Sequence, residues 1–355
     1  MKSESAHLAS PRTVICVVRV LLALLVVPDC WAQPQVAPGA LAVHWDEGSP
    51  DCAKSMHNPL QVYSYNHQTF LLRESLCSTF EAPFMYLLVG SSRALLIDTG
   101  DVADPEKMPL AETVMRLLPA EGQGKLPLLV VHTHRHLDHR AGDPQFTGLP
   151  RVEVVGYDLA GVRRFYHFTD WPNGRAEIDL GGRVIDVLPT PGHNETEVSF
   201  YDRNTALFFT GDFLLPARLL VDDAQAYLAS AERAIVFLRD VPVTSILGGH
   251  IEMNSQGRMF DWESQYHPGE HVLEMTKPDL MALPAAIRSF NGFYTERGNF
   301  VLINWIRILV VMAVGAGLVL IGILTMIIRY LRRHRVRRKA LQNENVREER
   351  MGGES

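Results

Sequence analysis

One uncharged segment near the C-terminus restricts how this chain can be arranged. Residues 308–328 read ILVVMAVGAGLVLIGILTMII, a run of 21 residues without a charge. An α-helix rises about 1.5 Å per residue, so the run is long enough to cross a hydrocarbon core of about 30 Å. We predict a transmembrane helix at 308–328, with the lipid bilayer as its partner.

The residues after this run indicate its orientation. The predicted tail, 329–355, begins with RYLRRHRVRRK, which contains seven basic residues. Basic segments beside a transmembrane helix stay in the cytoplasm. The pattern therefore predicts a single-pass membrane protein with a cytoplasmic tail at 329–355 and its preceding residues on the exported side.

The N-terminus agrees with export. Lys2, Arg12 and Arg19 precede a short apolar run at 20–27, and small residues follow at Cys30 and Ala32. Because the apolar run is too short to span a membrane, the pattern predicts a secretory signal peptide at 1–32.

Cleavage of this signal would leave two cysteines, Cys52 and Cys77, on the exported side. An oxidising compartment lets such a pair form a disulfide, which is our prediction, with two free thiols as the alternative.

Charge is distributed unevenly along the chain. The whole chain carries −6, but 1–32 carries +1 and 301–355 carries +6, which leaves −13 on residues 33–300. Nucleic-acid binding depends mainly on Lys and Arg contacts to phosphates. We therefore expect a small-molecule substrate and no nucleic-acid partner.

Residues 33–300 show no long linker or internal repeat, and we interpret them as one domain. Short apolar runs bounded by Gly, Pro, Asp or Asn predict strands at 84–90, 94–100, 126–133, 151–157, 183–190, 197–202, 206–212 and 244–250. Residues 222–240 have helical spacing, with Asp222 or Asp223 as the N-cap. The strands at 197–212 are predicted to form a hairpin that turns at 202–204.

Polar residues follow several of these strands directly. Loops at strand ends are where a rigid sheet can hold reactive groups against solvent, so we expect these side chains to meet at one rim. They are Asp98, His134, His193, Asp212 and His250.

The segment THRHLDHRAG (133–142) is the densest cluster of metal-ligand residue types. In an extended segment His134 and His136 point to the same side, so they can chelate one ion. Asp138 and His139 then remain for a second ion. Imidazole and carboxylate are ligands that zinc accepts without thiolate.

Distant residues complete two sites. His134, His136 and His193 make a three-imidazole site, and Asp138, His139 and His250 make another, while Asp212 is free to bridge them. We predict two Zn²⁺ per chain.

At these motifs the chain resembles the metallo-β-lactamase-fold hydrolase superfamily. The resemblance rests on LLIDTG (95–100), THRHLDH (133–139), and the pairs GH at 192–193, GD at 211–212 and GH at 249–250. It implies an α/β fold, the αββα sandwich, with the metal site at one edge between the two sheets. It also implies that Asp98 holds the first histidine pair in position without binding the metal itself, a role that carboxylates commonly have at metal sites.

The predicted mechanism is metal-assisted hydrolysis. Two zinc ions share a hydroxide, which Asp138 orients for attack on an ester, thioester, lactone, amide or phosphodiester. With two zincs, two carboxylates and one hydroxide, the site keeps a positive charge and can accept an anionic substrate.

Departures from the patterns of known subfamilies narrow the choice of hydrolase subfamily. Asp212 disfavours the true β-lactamases, and the ligand set resembles that of glyoxalase II, whose helical C-terminal domain has no clear counterpart here.

Two alternatives remain. A persulfide-dioxygenase-like enzyme would bind one Fe²⁺ through His134, His193 and Asp212. A catalytically inactive, membrane-tethered metal-binding protein would keep the ligands without turnover.

Overall fold

The computed structural model describes residues 36–352 of the 355-residue chain. The predicted signal peptide at 1–32 lies outside the described residues. The strands are, in chain order, β1 (Leu60–Asn66), β2 (Thr69–Glu74), β3 (Phe84–Val89), β4 (Ala94–Ile97), β5 (Ala120–Glu121), β6 (Gly124–Lys125), β7 (Leu128–Val131), β8 (Val152–Val154), β9 (Ala176–Asp179), β10 (Val184–Pro189), β11 (Val198–Asp202), β12 (Leu207–Gly211), β13 (Arg218–Leu220), β14 (Ser245–Gly248), β15 (Glu274–Met275), β16 (Tyr294–Arg297) and β17 (Phe300–Ile303). The helices are α1 (Leu110–Leu117), α2 (Asp143–Phe146), α3 (Leu159–Phe165), α4 (Ala224–Leu238), α5 (Lys277–Arg288) and α6 (Trp305–Gly352).

Two mixed sheets form the centre of the fold. Over the described residues, each has six strands, in the orders β1-β2-β3-β4-β7-β8 and β15-β14-β12-β11-β10-β9. Strand β4 pairs in parallel with β7 in the first sheet, and β12 pairs in parallel with β14 in the second. The ends of these parallel neighbours lie side by side, which is what brings distant sequence motifs together.

The core lies between the two sheets, and period-two alternation on the strands builds it. On β4, Leu95 and Ile97 face the second sheet and join the same buried cluster as Phe200 of β11. Leu96 points the other way and packs with Val114 of α1. Each face of β4 is therefore buried.

A helix also covers the outer face of the second sheet. The ring of Phe237 on α4 lies 5.6 Å, centroid to centroid, from that of Tyr201 on β11. With α1 on the first sheet, the layers follow the order αββα, and the predicted fold class is confirmed.

The strands and the helix predicted from local sequence patterns are present in this core. Each of the eight predicted strands overlaps an observed one, and β11 and β12 form the predicted hairpin, with Asp202 opposite Leu207. Helix α4 lies inside the predicted 222–240, and Asp223 is its N-cap, accepting hydrogen bonds from the backbone N–H groups of Gln225 and Ala226.

The strand predictions omitted the β1–β2 hairpin, the short β5–β6 pair, the edge strands β9 and β15 of the second sheet, and a separate three-stranded sheet. The three-stranded sheet has the order β13-β17-β16, and a single residue, Asn304, separates the end of β17 from the start of α6. It joins the segment after Asp212 to the start of the predicted transmembrane helix.

Helix α6 contains the whole apolar run 308–328 and continues into the basic segment. It is long and apolar enough to cross a membrane, and its apolar window is not buried against the rest of the described chain. The boundaries proposed for the signal, the exported domain, the span and the tail stay predictions.

The structure joins Cys52 and Cys77, with their sulfur atoms 2.01 Å apart. The pair predicted from the sequence is therefore at disulfide distance. It ties the segment before β1 to the loop between β2 and β3.

Candidate metal centre

The polar residues that follow the strands meet at one edge of the sandwich. Asp98 follows β4, the segment of His134 follows β7, and His193 follows β10. Asp212 follows β12 directly, and His250 follows β14. The predicted rim is therefore present in the fold.

Three histidines form the first cluster. Nε2 of His134 lies 2.9 Å from Nδ1 of His136 and 3.2 Å from Nε2 of His193. Nδ1 of His136 lies 3.0 Å from Nε2 of His193. Nitrogens bound to a tetrahedral zinc at about 2.0–2.1 Å are about 3.3 Å apart, so the three rings match a shared cation.

Two histidines and two aspartates form the second cluster. Nε2 of His139 lies 3.3 Å from Nε2 of His250 and 3.2 Å from Oδ2 of Asp138. Oδ2 of Asp138 is also 3.3 Å from Nε2 of His250. These atoms and a carboxylate oxygen of Asp212 could hold one metal ion.

Asp212 lies between the clusters. Its Oδ2 is 3.5 Å from Nε2 of His193, whereas its Oδ1 is 3.4 Å from Nε2 of His139 and 3.6 Å from that of His250. One carboxylate oxygen therefore faces each cluster. Within the described part of the chain, Oδ1 is buried without a hydrogen-bond partner, which a bound cation would satisfy.

Most of the clustered imidazoles are held through their other ring nitrogen. Nδ1 of His250 donates to the carbonyl oxygen of Glu81 at 2.7 Å. Nδ1 of His134 lies 3.2 Å from Oγ1 of Thr133, and Nε2 of His136 lies 3.1 Å from the side-chain amide of Asn194. The oxygen partners of His250 and His134 orient each ring and select the tautomer whose free nitrogen faces the cluster, whereas the Asn194 amide nitrogen is a donor and only orients the His136 ring.

Asp98 has a different partner from the expected one. Its Oδ2 accepts from Nδ1 of His139 at 2.9 Å, in the second cluster, and not from the first histidine pair. Its carboxylate also accepts from the N–H and Oγ1 of Thr133, and it reaches His134 through that hydroxyl alone. The 3-10 turn Leu137–His139 brings His139 to the end of β4, where its carbonyl oxygen accepts from the N–H of Thr99 at 2.9 Å.

Electrostatics differ between the clusters. Burial, with the neighbouring histidines, lowers the pKa of His134 well below its ordinary value, so its ring is neutral. In the second cluster burial alone would lower the pKa of His250, but Asp212 and Asp138 raise it to about 10. The two carboxylates thus favour positive charge at this point, as a metal site requires.

Several other polar side chains in this part of the fold make contacts of their own. Tyr227 donates to the carbonyl oxygen of Phe213 at 2.6 Å and lies 3.3 Å from that of Asp212, and Tyr166 is buried in the core. His267 pairs with Glu270, and Arg218 pairs with Glu252 at 3.3 Å.

The sequence reasoning missed Thr133, Glu81 and the amide of Asn194 as partners of the clustered histidines. Thr133 and Asn194 each adjoin a clustered histidine, which was the available signal. No sequence pattern indicated Glu81, because its backbone carbonyl oxygen makes the contact with His250.

A family model described as "Metallo-beta-lactamase superfamily" matches residues 78–250, a range that contains both clusters. Residues 78–250 form a metallo-beta-lactamase superfamily domain. Among solved structures, a metallo-beta-lactamase from Pontibacter korlensis is 15% identical with a TM-score of 0.44, covering 65% of this chain and 100% of that one.

Curated relatives of this superfamily domain are hydrolases by name. Acyl-coenzyme A thioesterase MBLAC2 of Gallus gallus is 25% identical over 233 residues, which cover 56% of this chain and 82% of that protein. The Homo sapiens protein of the same name is 25% identical over 234 residues, covering 56% and 83%. Hydroxyacylglutathione hydrolase of Anaeromyxobacter dehalogenans is 31% identical over 115 residues, covering 32% and 40%. The predicted class, a metal-dependent hydrolase, is confirmed.

Proposed function

We propose that the superfamily domain is a dinuclear zinc hydrolase that cleaves acyl thioesters or the corresponding esters. The observation that carries this proposal is the position of Asp212, with Oδ2 toward His193 and Oδ1 toward His139 and His250. Two-metal hydrolases hold their ions about 3.5–4 Å apart, a separation that a single carboxylate can bridge.

The residues divide between two ions. His134, His136 and His193 would hold the first, and Asp138, His139 and His250 would hold the second, with Asp212 shared. All donors are imidazole nitrogens or carboxylate oxygens, which suits zinc. When bound, zinc supplies Lewis acidity toward the scissile carbonyl and lowers the pKa of water in the site.

The chain's own residues orient the reaction. His139 and His250 hold the pKa of Asp138 well below its ordinary range against the opposing effect of burial, so its carboxylate is ionised. An ionised carboxylate accepts a hydrogen bond from the attacking water and directs it toward the substrate carbonyl. No serine or cysteine nucleophile is needed for this chemistry.

The substrate class draws its support from the relatives. Acyl-coenzyme A thioesterase MBLAC2 and hydroxyacylglutathione hydrolase both act, by name, on acyl compounds joined through sulfur. We infer the same bond class here, an acyl thioester or its oxygen analogue.

Metal analysis of the purified full chain tests the centre. We expect about two zinc ions per chain, whereas the persulfide-dioxygenase alternative requires one iron. His136→Ala should abolish hydrolysis and reduce bound zinc, while His271→Ala, which removes a half-buried imidazole outside both clusters, should change neither. Full zinc content and activity in His136→Ala would contradict the assignment.

A substrate panel tests the reaction. The zinc-loaded full chain is offered thioesters, esters, lactones, phosphodiesters and β-lactams, and we expect turnover of the acyl thioesters or esters. Asp212→Asn should lower kcat at least 100-fold, because it removes the shared charge. Absence of turnover on every substrate with zinc bound would favour the inactive binding protein.

We also propose that α6 anchors the hydrolase in a membrane, with the superfamily domain exported. The supports are the exposure of apolar side chains such as Leu309, Leu318 and Leu324, each more than half exposed, and the basic segment that follows them. Protease protection of a C-terminal tag in sealed membrane vesicles tests the orientation. Accessibility of the tag from the exported side would contradict it.

A further inference from the structure

The anchor helix is joined to the catalytic domain without a flexible linker. Strand β17 ends at Ile303, and α6 begins at Trp305. Between them Asn304 is buried, donating through Nδ2 to the carbonyl oxygen of Val221 at 2.6 Å and accepting at Oδ1 from the N–H of Arg307 at 2.9 Å. The start of α6 therefore has a defined position relative to the hydrolase domain.

A row of three aromatic rings leads from α6 toward the metal centre. The ring of Trp305 lies 5.8 Å from that of Trp262, which lies 5.9 Å from that of Phe80. Phe80 precedes Glu81, whose carbonyl oxygen accepts from Nδ1 of His250 at 2.7 Å. We call Phe80, Trp262 and Trp305 the aromatic lip.

A second set of contacts joins β13 to the segment that follows His250. The N–H of Arg218 on β13 donates to Oε2 of Glu252 at 2.9 Å, and its guanidinium donates to the carbonyl oxygen of Phe260. Glu252 is two residues beyond His250, and β13 pairs with β17 along its length. The centre, the lip and the first turn of α6 are thus parts of one connected region.

The chemistry of the lip matches a membrane interface. Tryptophan is enriched in the headgroup layer, where its ring contacts apolar groups and its N–H contacts polar ones. Trp262 is 51% exposed, so its ring is available to lipid, whereas Nε1 of Trp305 is buried, so Trp262 is the tryptophan of the lip that meets the headgroups.

Resting on the anchored hydrolase proposed above, we propose that the aromatic lip lies in the headgroup layer. The metal centre then takes acyl substrates whose chains are inserted in the bilayer, with the thioester or ester carbonyl at headgroup depth. The −13 charge of residues 33–300 opposes attraction to anionic lipids, so the contact is aromatic and does not depend on lipid charge.

Fluorescence quenching tests the depth of the lip independently of catalysis. The full chain is placed in phosphatidylcholine vesicles containing lipids brominated near the headgroup end of the acyl chain. We expect quenching in the wild type that falls measurably in Trp262→Phe and that is unchanged by added anionic lipid. Equal fractional quenching in the wild type and Trp262→Phe would overturn the proposal.

Kinetics test the route of the substrate. In vesicles, Trp262→Gln should raise the KM for an embedded long-chain acyl thioester about tenfold, and leave turnover of a water-soluble acetyl thioester unchanged. Val236→Gln, which changes an exposed apolar residue on α4, is the matched control and should alter neither. An equal effect of Trp262→Gln on both substrates, or none on either, would overturn the proposal. If the wild type cleaves neither substrate, the proposed function fails, and the quenching result still decides the position of the lip.

Discussion

Oδ2 of Asp98 accepts a hydrogen bond from Nδ1 of His139 at 2.9 Å, and both side chains are buried. Asp98 has a left-handed backbone, with φ of 65°, which Asn tolerates better than most residues. The contact therefore links the end of β4 to the second cluster through a residue whose charge can be removed with little change in shape.

We expect Asp98→Asn to weaken metal binding at the second cluster by about 10–100-fold, because an amide orients and polarises the His139 imidazole less than a carboxylate does. Zinc titration against a competing chelator measures this loss. Asp143→Asn is the matched control, since Asp143 bonds to His132 and Thr99 outside both clusters. An unchanged affinity for the second ion would show that the contact is structural alone.

The sequon Asn194-Glu195-Thr196 should carry no glycan, even in a cell that glycosylates exported proteins. Asn194 is 6% exposed, its Oδ1 accepts from the N–H and Oγ1 of Thr196, and its amide lies beside His136. A glycan would break these contacts at the edge of the first cluster. Peptide mass spectrometry checks this, and an occupied site on active enzyme would contradict it.

A buried ion pair between Arg73 and Glu270 should contribute to stability. The guanidinium donates to both carboxylate oxygens, at 2.7 and 2.6 Å, and both side chains are almost fully buried. Glu270→Gln leaves the Arg73 charge unpaired, and we expect a loss of about 3–5 kcal/mol in the free energy of unfolding at pH 7. Thermal melts in detergent measure it.

The same pair should depend on pH in a defined direction. Burial opposes ionisation of Glu270, but Arg73 holds its pKa below the ordinary value. Its stabilisation is therefore present above the unfolded pKa of about 4.3 and is lost as pH falls through the lower folded pKa. The gap between wild type and Glu270→Gln should narrow on acidification below about pH 4. Glu232→Gln, in an exposed pair with Arg288, should cost less than about 1 kcal/mol throughout.

Reduction of the Cys52–Cys77 pair should destabilise the domain. The cysteines are 25 residues apart in the chain, and opening a loop of that size costs about 3.5 kcal/mol through the entropy of the unfolded state. The melting temperature of the wild type should fall with a reductant. The Cys52→Ser/Cys77→Ser variant should have a lower melting temperature than the untreated wild type, and the reductant should not change it. An unchanged melting temperature of the wild type in reductant would contradict the prediction.

Several features of this protein followed from the sequence alone because they are local. Apolar runs with strand-length spacing marked β4, β7, β12 and β14, and the polar residue after each run marked the rim. The pattern at 133–139 placed two imidazoles on one side of an extended segment, which needs no knowledge of the rest of the chain. The length of the apolar run 308–328 and its lack of charge are likewise read directly from the sequence.

Tertiary structure decided several contacts that residue spacing does not give. Asp98 contacts His139 and not the first histidine pair, because the short 3-10 turn Leu137–His139 brings His139 to the end of β4, and residue spacing does not give turn geometry. The position of Asp212 between the clusters depends on parallel pairing of β12 with β14 and on packing of the two sheets. Trp262 meets Trp305 for a similar reason, since β17, which ends just before α6, pairs with β13, and Arg218 of β13 donates to the carbonyl oxygen of Phe260. Spacing records neighbours along the chain, whereas these contacts come from pairing between strands far apart in it.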